Sequence, residues 1–579
     1  MPSLGAFRIP SAALRRATIV GSHGPVIPGN ASQARCYASR RTTQRLAKTA
    51  RGALAFGTAA AIVYYYPTIA RAISGEPTEE DQKKLDRSRV KPTKAKLASQ
   101  TLVSQTDLNA IPKSWDVPGL YVWGLNASKV ADPNSQETYV RVPRRIKYFD
   151  GQLLRDVKLR HNFGAAVTER GDIVQWGKGF DKENFEPTTT LKGKNIVKIA
   201  VSSDRIIALA ANGGVYSLPA SKTDLIADQR DLEAEAQKNT NNSGSWLPSF
   251  WSSSSASPGL AFRTITPAKL ARGEKVTDIS SGTDHCLLLT SAGRVFSAAS
   301  STSKFPAHGQ LGVPGLTWDN RPSGPYYQSH EVPSLKEVHV VQIATGDRHS
   351  IVLDKDGQSF GFGDNMFGQL GMPNPSGTTQ MDKPVKISSH PMYGRSADAK
   401  LGKIAAGGNN TFFAAANPGL PESVDVWAAG QGHLGSLGTG HWLHMTSIPS
   451  KMRALSGLTE FSDTTGALVP IRVGKLSVGA THSAAILDGA SPQAGRDILV
   501  WGGNEHYQLG TGKRANLSAP SNIPPPSDGA EGTQVAESQR LQAAPQRTVM
   551  LDGKKRHKVS LKQDIECGEY ITALYSTPS

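Results

Sequence analysis

A two-part phrase recurs seven times along this 579-residue chain, and its last copy is cut in two. The first part reads apolar-x-x-Gly-x-x-His-x-x-x-apolar, as in Ile343-Ala-Thr-Gly346-Asp-Arg-His349-Ser-Ile-Val-Leu353. The second follows a glycine turn and reads apolar-x-x-Trp/Phe-Gly, as in Ile173-Val-Gln-Trp176-Gly177. First parts begin at Val157, Ile199, Ile279, Ile343, Ile404, Leu476 and Ile565, and second parts lie near Trp123, Trp176, Ser217, Ser297, Phe362, Trp427 and Trp501. The copy at Ile565 has no second part after it, whereas an unmatched second part, Tyr121-Val-Trp123-Gly124, opens the array. A linear solenoid has no reason to begin and end on complementary fragments; a closed ring does.

Short apolar runs separated by glycine turns predict strands. Asn212-Gly213-Gly214, Ala292-Gly293 and Asp356-Gly357 sit where a tight hairpin needs positive φ. A run such as His285-Cys-Leu-Leu-Leu289 reads as a strand buried on both faces, with Val295-Phe-Ser as its hairpin partner. Each repeat is then a small antiparallel sheet that cannot bury its own faces, and seven such sheets around an axis cover one another. The expected fold is all-β: a seven-bladed β-propeller over 119–579, closed by pairing Tyr121–Gly124 with the strands after Ile565. Closure leaves no sheet edge at the seam.

The clearest copy runs from Gly346 to Gly371 and ends Gly363-Asp-Asn365-Met-Phe-Gly368-Gln-Leu-Gly371; Trp501-Gly-Gly-Asn504-Glu-His-Tyr-Gln508-Leu-Gly510 is another, and His308-Gly-Gln-Leu-Gly312 a partial one. These phrases resemble the regulator-of-chromosome-condensation propeller repeat. The Trp-Asp ending of the tryptophan-aspartate propellers is absent, with Trp-Gly in its place. Some blades depart from the pattern: Ser202-Ser-Asp-Arg205 lacks both Gly and His, Gly407-Gly-Asn-Asn410 has Asn for His, and Gly568-Glu-Tyr-Ile571 has Ile. The recurring Gly282, His285, Gly346, His349, Gly479, His482, Trp123, Trp176 and Trp501 are therefore expected to build blades. Equivalent positions are spread around a ring, so the histidines are not a metal cluster, and hydrogen bonds to local backbone are expected for them.

The net charge of +17 is uneven. Residues 1–75 hold ten Lys or Arg and no acid, leaving 55 bases against 48 acids in the rest. The high charge is thus an N-terminal property and does not point to nucleic acid as a partner. The acid-free, Ala- and Arg-bearing residues 1–37 suit a mitochondrial transit peptide, with Arg35, Tyr37 and Ala38 resembling a matrix processing site. A basic segment, 38–51, precedes Gly52–Ala70, which is uncharged over 19 residues and long enough to cross a bilayer as a helix. Five bases precede it and acids gather after it, so the expected topology puts the N-terminus in the matrix and the propeller in the intermembrane space. Residues 71–118 read as a linker.

No nucleotide-binding loop, zinc-protease helix or Cys-x-x-Cys pair is present. No catalytic residue, cofactor or metal is expected. Cys286 and Cys567 fall inside repeats and read as inert core thiols. The interruptions are more informative. At 219–262 the step from Ile199 to Ile279 stretches to 80 residues, against 42 from Val157 to Ile199. Its first part, Thr223 to Gln237, could form a helix; its second carries Trp246, Phe250 and Trp251, which suit a bilayer interface or a partner's groove, or fold back onto the ring. A second interruption, about 513–558, is Pro-, Ser- and Gln-rich to Gln546, expected to be disordered, and ends at Lys554-Lys555-Arg556. That basic run is either a site for anionic lipid or a solvated hairpin turn.

The whole layout is similar to a class of fungal mitochondrial inner-membrane propellers implicated in assembly of respiratory complex III, before the Rieske subunit is installed. That resemblance implies a membrane-anchored, non-enzymatic scaffold with inner-membrane protein partners. The repeat family's nuclear members exchange guanine nucleotide on a small GTPase through an inserted β-wedge. Exchange on a mitochondrial GTPase is therefore the alternative, although no wedge is evident in the sequence.

Overall fold

The computed structural model describes residues 117–579 except 231–261, 302–303, 317, 322–327, 374–376, 395–399, 418–419, 463–464, 490–493, 524–539 and 552–556. The N-terminal unit, residues 1–100, lies outside them, with Arg35, Tyr37, Ala38 and the 52–70 segment. Among the described residues, no helix is long and apolar enough to cross a membrane.

Seven antiparallel sheets follow one another around an axis. Blade 4 shows the plan. Its strands A to D are Val340–Thr345, His349–Asp354, Ser359–Asp364 and Gln380–Ile387, paired in sequence order. Strand B is buried along its whole length because it is covered on both faces by neighbouring blades. Blades 1, 2, 3, 5 and 6 repeat this order over 154–191, 196–264, 276–331, 401–451 and 472–522. In blades 1 to 6 the A–B pairing slips by one residue near the start of A, a bulge that adds twist where the strand meets the axis.

Blade 7 is assembled from both ends of the ring. His557–Cys567 and Ile571–Pro578 supply strands A and B, while Leu120–Leu125 and Tyr139–Arg145 supply C and D. Leu120 to Gly124 pair with Tyr575 to Ile571 residue for residue. The seam predicted from the split copy is thus a continuous ladder.

The core lies between blades. Leu287, Val295, Val352 and Phe362 pack blade 3 on blade 4, and Ala344, Ile351, Phe413 and Ala429 pack blade 4 on blade 5. The largest such cluster spans the seam and joins Trp123, Tyr575 and Ile571 to Trp176 of blade 1 and to Ile486 and Val500 of blade 6.

The A–B turns and C–D loops share one face of the ring, the A–B face; the B–C turns and D–A connectors share the other, the B–C face. The second interruption is more ordered than its composition suggests. Leu517–Asn522 is strand D of blade 6, Gln542–Ala543 pairs with strand C of that blade, and Arg547–Leu551 pairs with the start of strand A of blade 7. An outermost strand needs pairing on one side only, so it tolerates Pro520 and lacks the apolar signature of an inner strand. A further hairpin, Thr459–Ser462 with Ala467–Pro470, stands outside the blades between blades 5 and 6.

Candidate functional site

The repeat residues are used up in joining blades. His285, His349 and His482 each open a strand B. Their Nε2 atoms lie 2.9, 2.8 and 2.7 Å from the hydroxyls of Ser350, Thr411 and Thr572 in the following blade. Each hydroxyl donates in turn to the carbonyl of Gln310, Gln369 or Gln508, in the C–D loop of the histidine's own blade. The hydroxyl proton is committed to the carbonyl, so Nε2–H must be the donor to the hydroxyl oxygen. This corrects the expectation of local backbone partners: strand B points its first side chain out of its own sheet, and the nearest polar group there belongs to the next blade. Full burial pushes all three imidazoles down to about 3, so they are neutral.

The tryptophans act the same way. Trp123, Trp176 and Trp501 donate Nε1–H to the carbonyls of Gln508, Val130 and Ser436 at 2.9, 2.9 and 3.0 Å, each in a neighbouring loop. Gly282, Gly346 and Gly479 leave room for a close approach: a Cβ at Gly346 would collide with the His349 ring and the Gly408 carbonyl. Cys286 is buried, and burial pushes its thiol up to about 12. Among the described residues there is no group of three or more acidic, His or Cys side chains placed to hold a metal.

The axis is a narrow channel of about 200 Å³ walled by the A strands. Its polar side chains pass a circuit from blade to blade. Asp156 accepts from Ile199 N–H at 2.9 Å, Lys198 meets Asp278 at 2.5 Å, and Ser280 meets Thr345 at 2.7 Å. Gln342 brackets Ile404 N–H and C=O, Lys403 donates to the Gly474 carbonyl at 2.9 Å, and Lys475 meets Asp564 at 3.3 Å. Lys158–Glu566, 2.6 Å, closes the circuit across the seam. Burial alone would lower the Lys158 ammonium, but Asp156 and Glu566 outweigh it and hold the group well above its ordinary value. These charges satisfy one another, so the channel wall serves closure.

The A–B face is different. Where five blades have glycine (Gly282, Gly346, Gly407, Gly479 and Gly568), blade 1 has Arg160. Its guanidinium lies 3.5 Å from Glu569 of blade 7, and His161 Nδ1 lies 2.5 Å from the same carboxylate. Burial would raise Glu569, but His161 and Arg160 bring it below the usual carboxylate range. Burial pushes Asp347 up. Arg160, Arg348, Asp347, Asp364 and Glu569 thus surround a mouth of about 370 Å³, with Met366 at its rim. On the same face Trp318, Met366, Trp442 and Met445 are exposed by 46, 61, 60 and 53%. The sequence reading passed over Arg160 and Trp442; an alignment of the seven copies on the glycine of the first part would have exposed Arg160.

The blade 2 interruption leaves from this face as well. Residues 222–230 are helical, with Leu225 buried. Asp228 takes Arg205 at 3.2 Å and Arg263 at 2.7 Å, so both stems of the insertion are fixed at one point. Arg205 stands where other blades have histidine; it turns back to Ser217 of its own blade at 2.6 Å. Trp246, Phe250 and Trp251 lie outside the described residues, as do Lys554, Lys555 and Arg556. The strands that flank the latter three, Arg547–Leu551 and the start of His557–Cys567, pair antiparallel and have their facing ends at the B–C face. The described residues that flank the two candidate contacts therefore lie on opposite sides of the ring.

A seven-bladed ring whose blades are joined by Gly-x-x-His and Trp-Gly elements is similar to propellers of the regulator-of-chromosome-condensation type. The regulator of chromosome condensation repeat model matches residues 340–369, the A to C strands of blade 4 and the loop after them. The chain is 25% identical over 436 residues to Protein FMP25, mitochondrial, of Saccharomyces cerevisiae, covering 71% of this chain and 66% of that protein. It is 28% identical over 260 residues to the RCC1-like G exchanging factor-like protein of Mus musculus, 44% of this chain and 47% of that one. The matches thus span less than two thirds of these relatives' own lengths. Among solved structures, human WBSCR16 superposes with a TM-score of 0.52 at 20% identity, covering 80% of this chain and 99% of that one. Prp20p of Saccharomyces cerevisiae superposes at 0.50 and 15%, covering 83% and 96%. At these identities the structural likeness speaks for the fold.

Proposed function

We propose that this protein is a membrane-tethered, non-enzymatic scaffold of the mitochondrial inner membrane that presents its A–B face to a protein partner during assembly of respiratory complex III, before the Rieske subunit enters. The observation that carries the scaffold reading is the division of labour in the ring. Repeat histidines, tryptophans and channel charges are all committed to joining blades, while the A–B face exposes Trp318, Met366, Trp442 and Met445 with a charged mouth. Exposed aromatic and Met side chains suit a protein interface. The mitochondrial reading draws on the acid-free 1–37 segment with its Arg35-Cys-Tyr37-Ala38 site and on the likeness to the yeast mitochondrial protein. The span at 52–70 supplies the tether.

Crosslinking in intact mitochondria, followed by identification of partners, tests this. Complex III intermediates should be recovered with the wild-type chain and lost with Trp442→Ser combined with Met366→Ser, while the folded fraction is unchanged. Recovery of no complex III subunit would refute the assembly role. Alkaline carbonate extraction tests the tether separately: release into the soluble fraction removes it. Guanine-nucleotide exchange is the second reading, favoured by the exchange-factor name of the mouse relative. Accelerated nucleotide release from a purified mitochondrial GTPase would favour it over the scaffold.

A further inference from the structure

We propose that the B–C face of the ring is a docking surface for an anionic phospholipid bilayer. Across its described B–C turns and D–A connectors, ten Lys or Arg are exposed, against two exposed acids, Glu337 and Asp356. Lys192, Lys275, Lys336, Lys355 and Arg453 are among the ten, and none of the ten holds a salt bridge among the described residues. The half-buried carboxylates here are largely neutralised in place: Asp150 pairs with Arg145, Glu274 with Arg294 and Asp488 with Arg496. The A–B face, by contrast, exposes eight bases and six acids among its described turns and loops. Among the described residues, the exposed positive excess of the ring is therefore carried mostly on one side of the disc.

Apolar groups stand among these charges. In the hairpin between blades 5 and 6, Phe461 and Leu468 lie directly opposite each other and are exposed by 53 and 69%. Tyr148, in the connector that leads to blade 1, is exposed by 43%. Cationic side chains dispersed over a broad face, with a few apolar and aromatic groups between them, match the headgroup region of an anionic bilayer. Nucleic acid would be better served by a groove lined with stacking aromatics.

The direction of chain entry agrees. Gly119 precedes the first strand, its carbonyl accepts from Ser576 N–H at 3.0 Å, and Gly151 of the D–A connector donates to Pro118 C=O at 2.8 Å. The first described residues, 117–119, therefore lie on the basic side of the ring. This assignment deepens the tethered reading and rests on it only for that direction; the charge pattern stands without it.

Hydrogen exchange of the full-length chain, mixed with phosphatidylcholine vesicles with or without cardiolipin, tests the assignment. The turns at 168–173, 210–215, 290–295 and 354–359 should be protected by cardiolipin vesicles and not by neutral ones, and raised salt should reverse the protection. Each lysine near such a surface contributes roughly fivefold to partition. The variant Lys192→Glu, Lys275→Glu, Lys336→Glu, Lys355→Glu should then lose on the order of a hundredfold or more and show no protection, while Lys178→Glu, Lys182→Glu on the other face should behave as wild type. Protection of the A–B face, equal protection by neutral vesicles, unprotected turns in vesicle-bound protein, or protection by duplex DNA or RNA alone would each overturn it. Carbonate extraction reports on the anchor independently, so a failed anchor and a failed face give different results.

Discussion

Acid should weaken the ring through its buried histidines, and the substitution His349→Asn isolates one of them. Asn is already present at the equivalent place in blade 5, as Asn410, so the backbone accepts it. In the folded protein the His349 imidazole is buried and pushed down to about 3; in the unfolded chain it returns to about 6.5. The unfolded state therefore binds the extra proton between these values, and stability falls as pH falls through the unfolded pKa. From pH 7 to pH 5 the loss is about 2 kcal/mol for this one group. At pH 7 the variant leaves the Thr411 hydroxyl oxygen without its ring donor and leaves a small void, a cost of about 1–3 kcal/mol. Wild type and variant should thus differ most near neutrality and converge towards pH 5. Urea denaturation followed by tryptophan fluorescence at several pH values from 7 to 5 reads this directly. Carboxylates held low, such as Glu569 and Glu331, lose their contribution at lower pH and do not interfere. Parallel pH curves for the two proteins would refute the buried, neutral imidazole.

Three further outcomes follow from the geometry. Deleting 117–125 exposes the whole edge of Ile571–Pro578, so the chain should self-associate, visible by light scattering, far beyond what the loss of a nine-residue segment elsewhere would cause. Gly346→Ala should cost at least about 2 kcal/mol because its methyl meets the His349 ring and the Gly408 carbonyl, whereas Gly273→Ala, with φ +82° and open space, should cost about 1 kcal/mol. Asp228→Asn removes the common partner of Arg205 and Arg263; amide exchange in 222–230 should quicken, with a stability loss of about 2–3 kcal/mol, held down by the remaining Arg205–Ser217 contact.

The ring, its blade number and its seam were legible because they follow from local alternation and from the incomplete first and last copies. The partners of the histidines were not, since His285 meets Ser350 and His482 meets Thr572 across 65 and 90 residues. The signal was nevertheless present: Ser350, Thr411 and Thr572 all occupy the position after the strand-opening residue. Strand D was hard to see for a different reason. Arg263–Thr264 and His330–Glu331 pair on one side only and carry no apolar pattern. Arg160 escaped notice because the local sequence Lys-Leu-Arg-His looks like an ordinary charged turn; only its equivalence to a glycine makes it unusual. The asymmetry of charge between faces required the strand register, which decides on which side each connector falls.

That register also changes what the two interruptions can do. Strands of about six residues separate the faces by roughly 20 Å. The stems that lead to Trp246, Phe250 and Trp251 leave the A–B face, beside Arg205 and Arg263, whereas the strand ends that flank Lys554, Lys555 and Arg556, Leu551 and His557, lie at the B–C face. One flat bilayer against the B–C face does not meet the stems on the A–B face. If the B–C face docks on lipid as proposed, the strand ends that flank the lysine-bearing segment fall on the lipid side. The described stems of the aromatic insertion, 222–230 and Arg263, then fall on the opposite face, which already exposes Trp318, Met366 and Trp442. Under the proposed docking, its three aromatic residues would meet a protein partner of the proposed scaffold and not the headgroup layer.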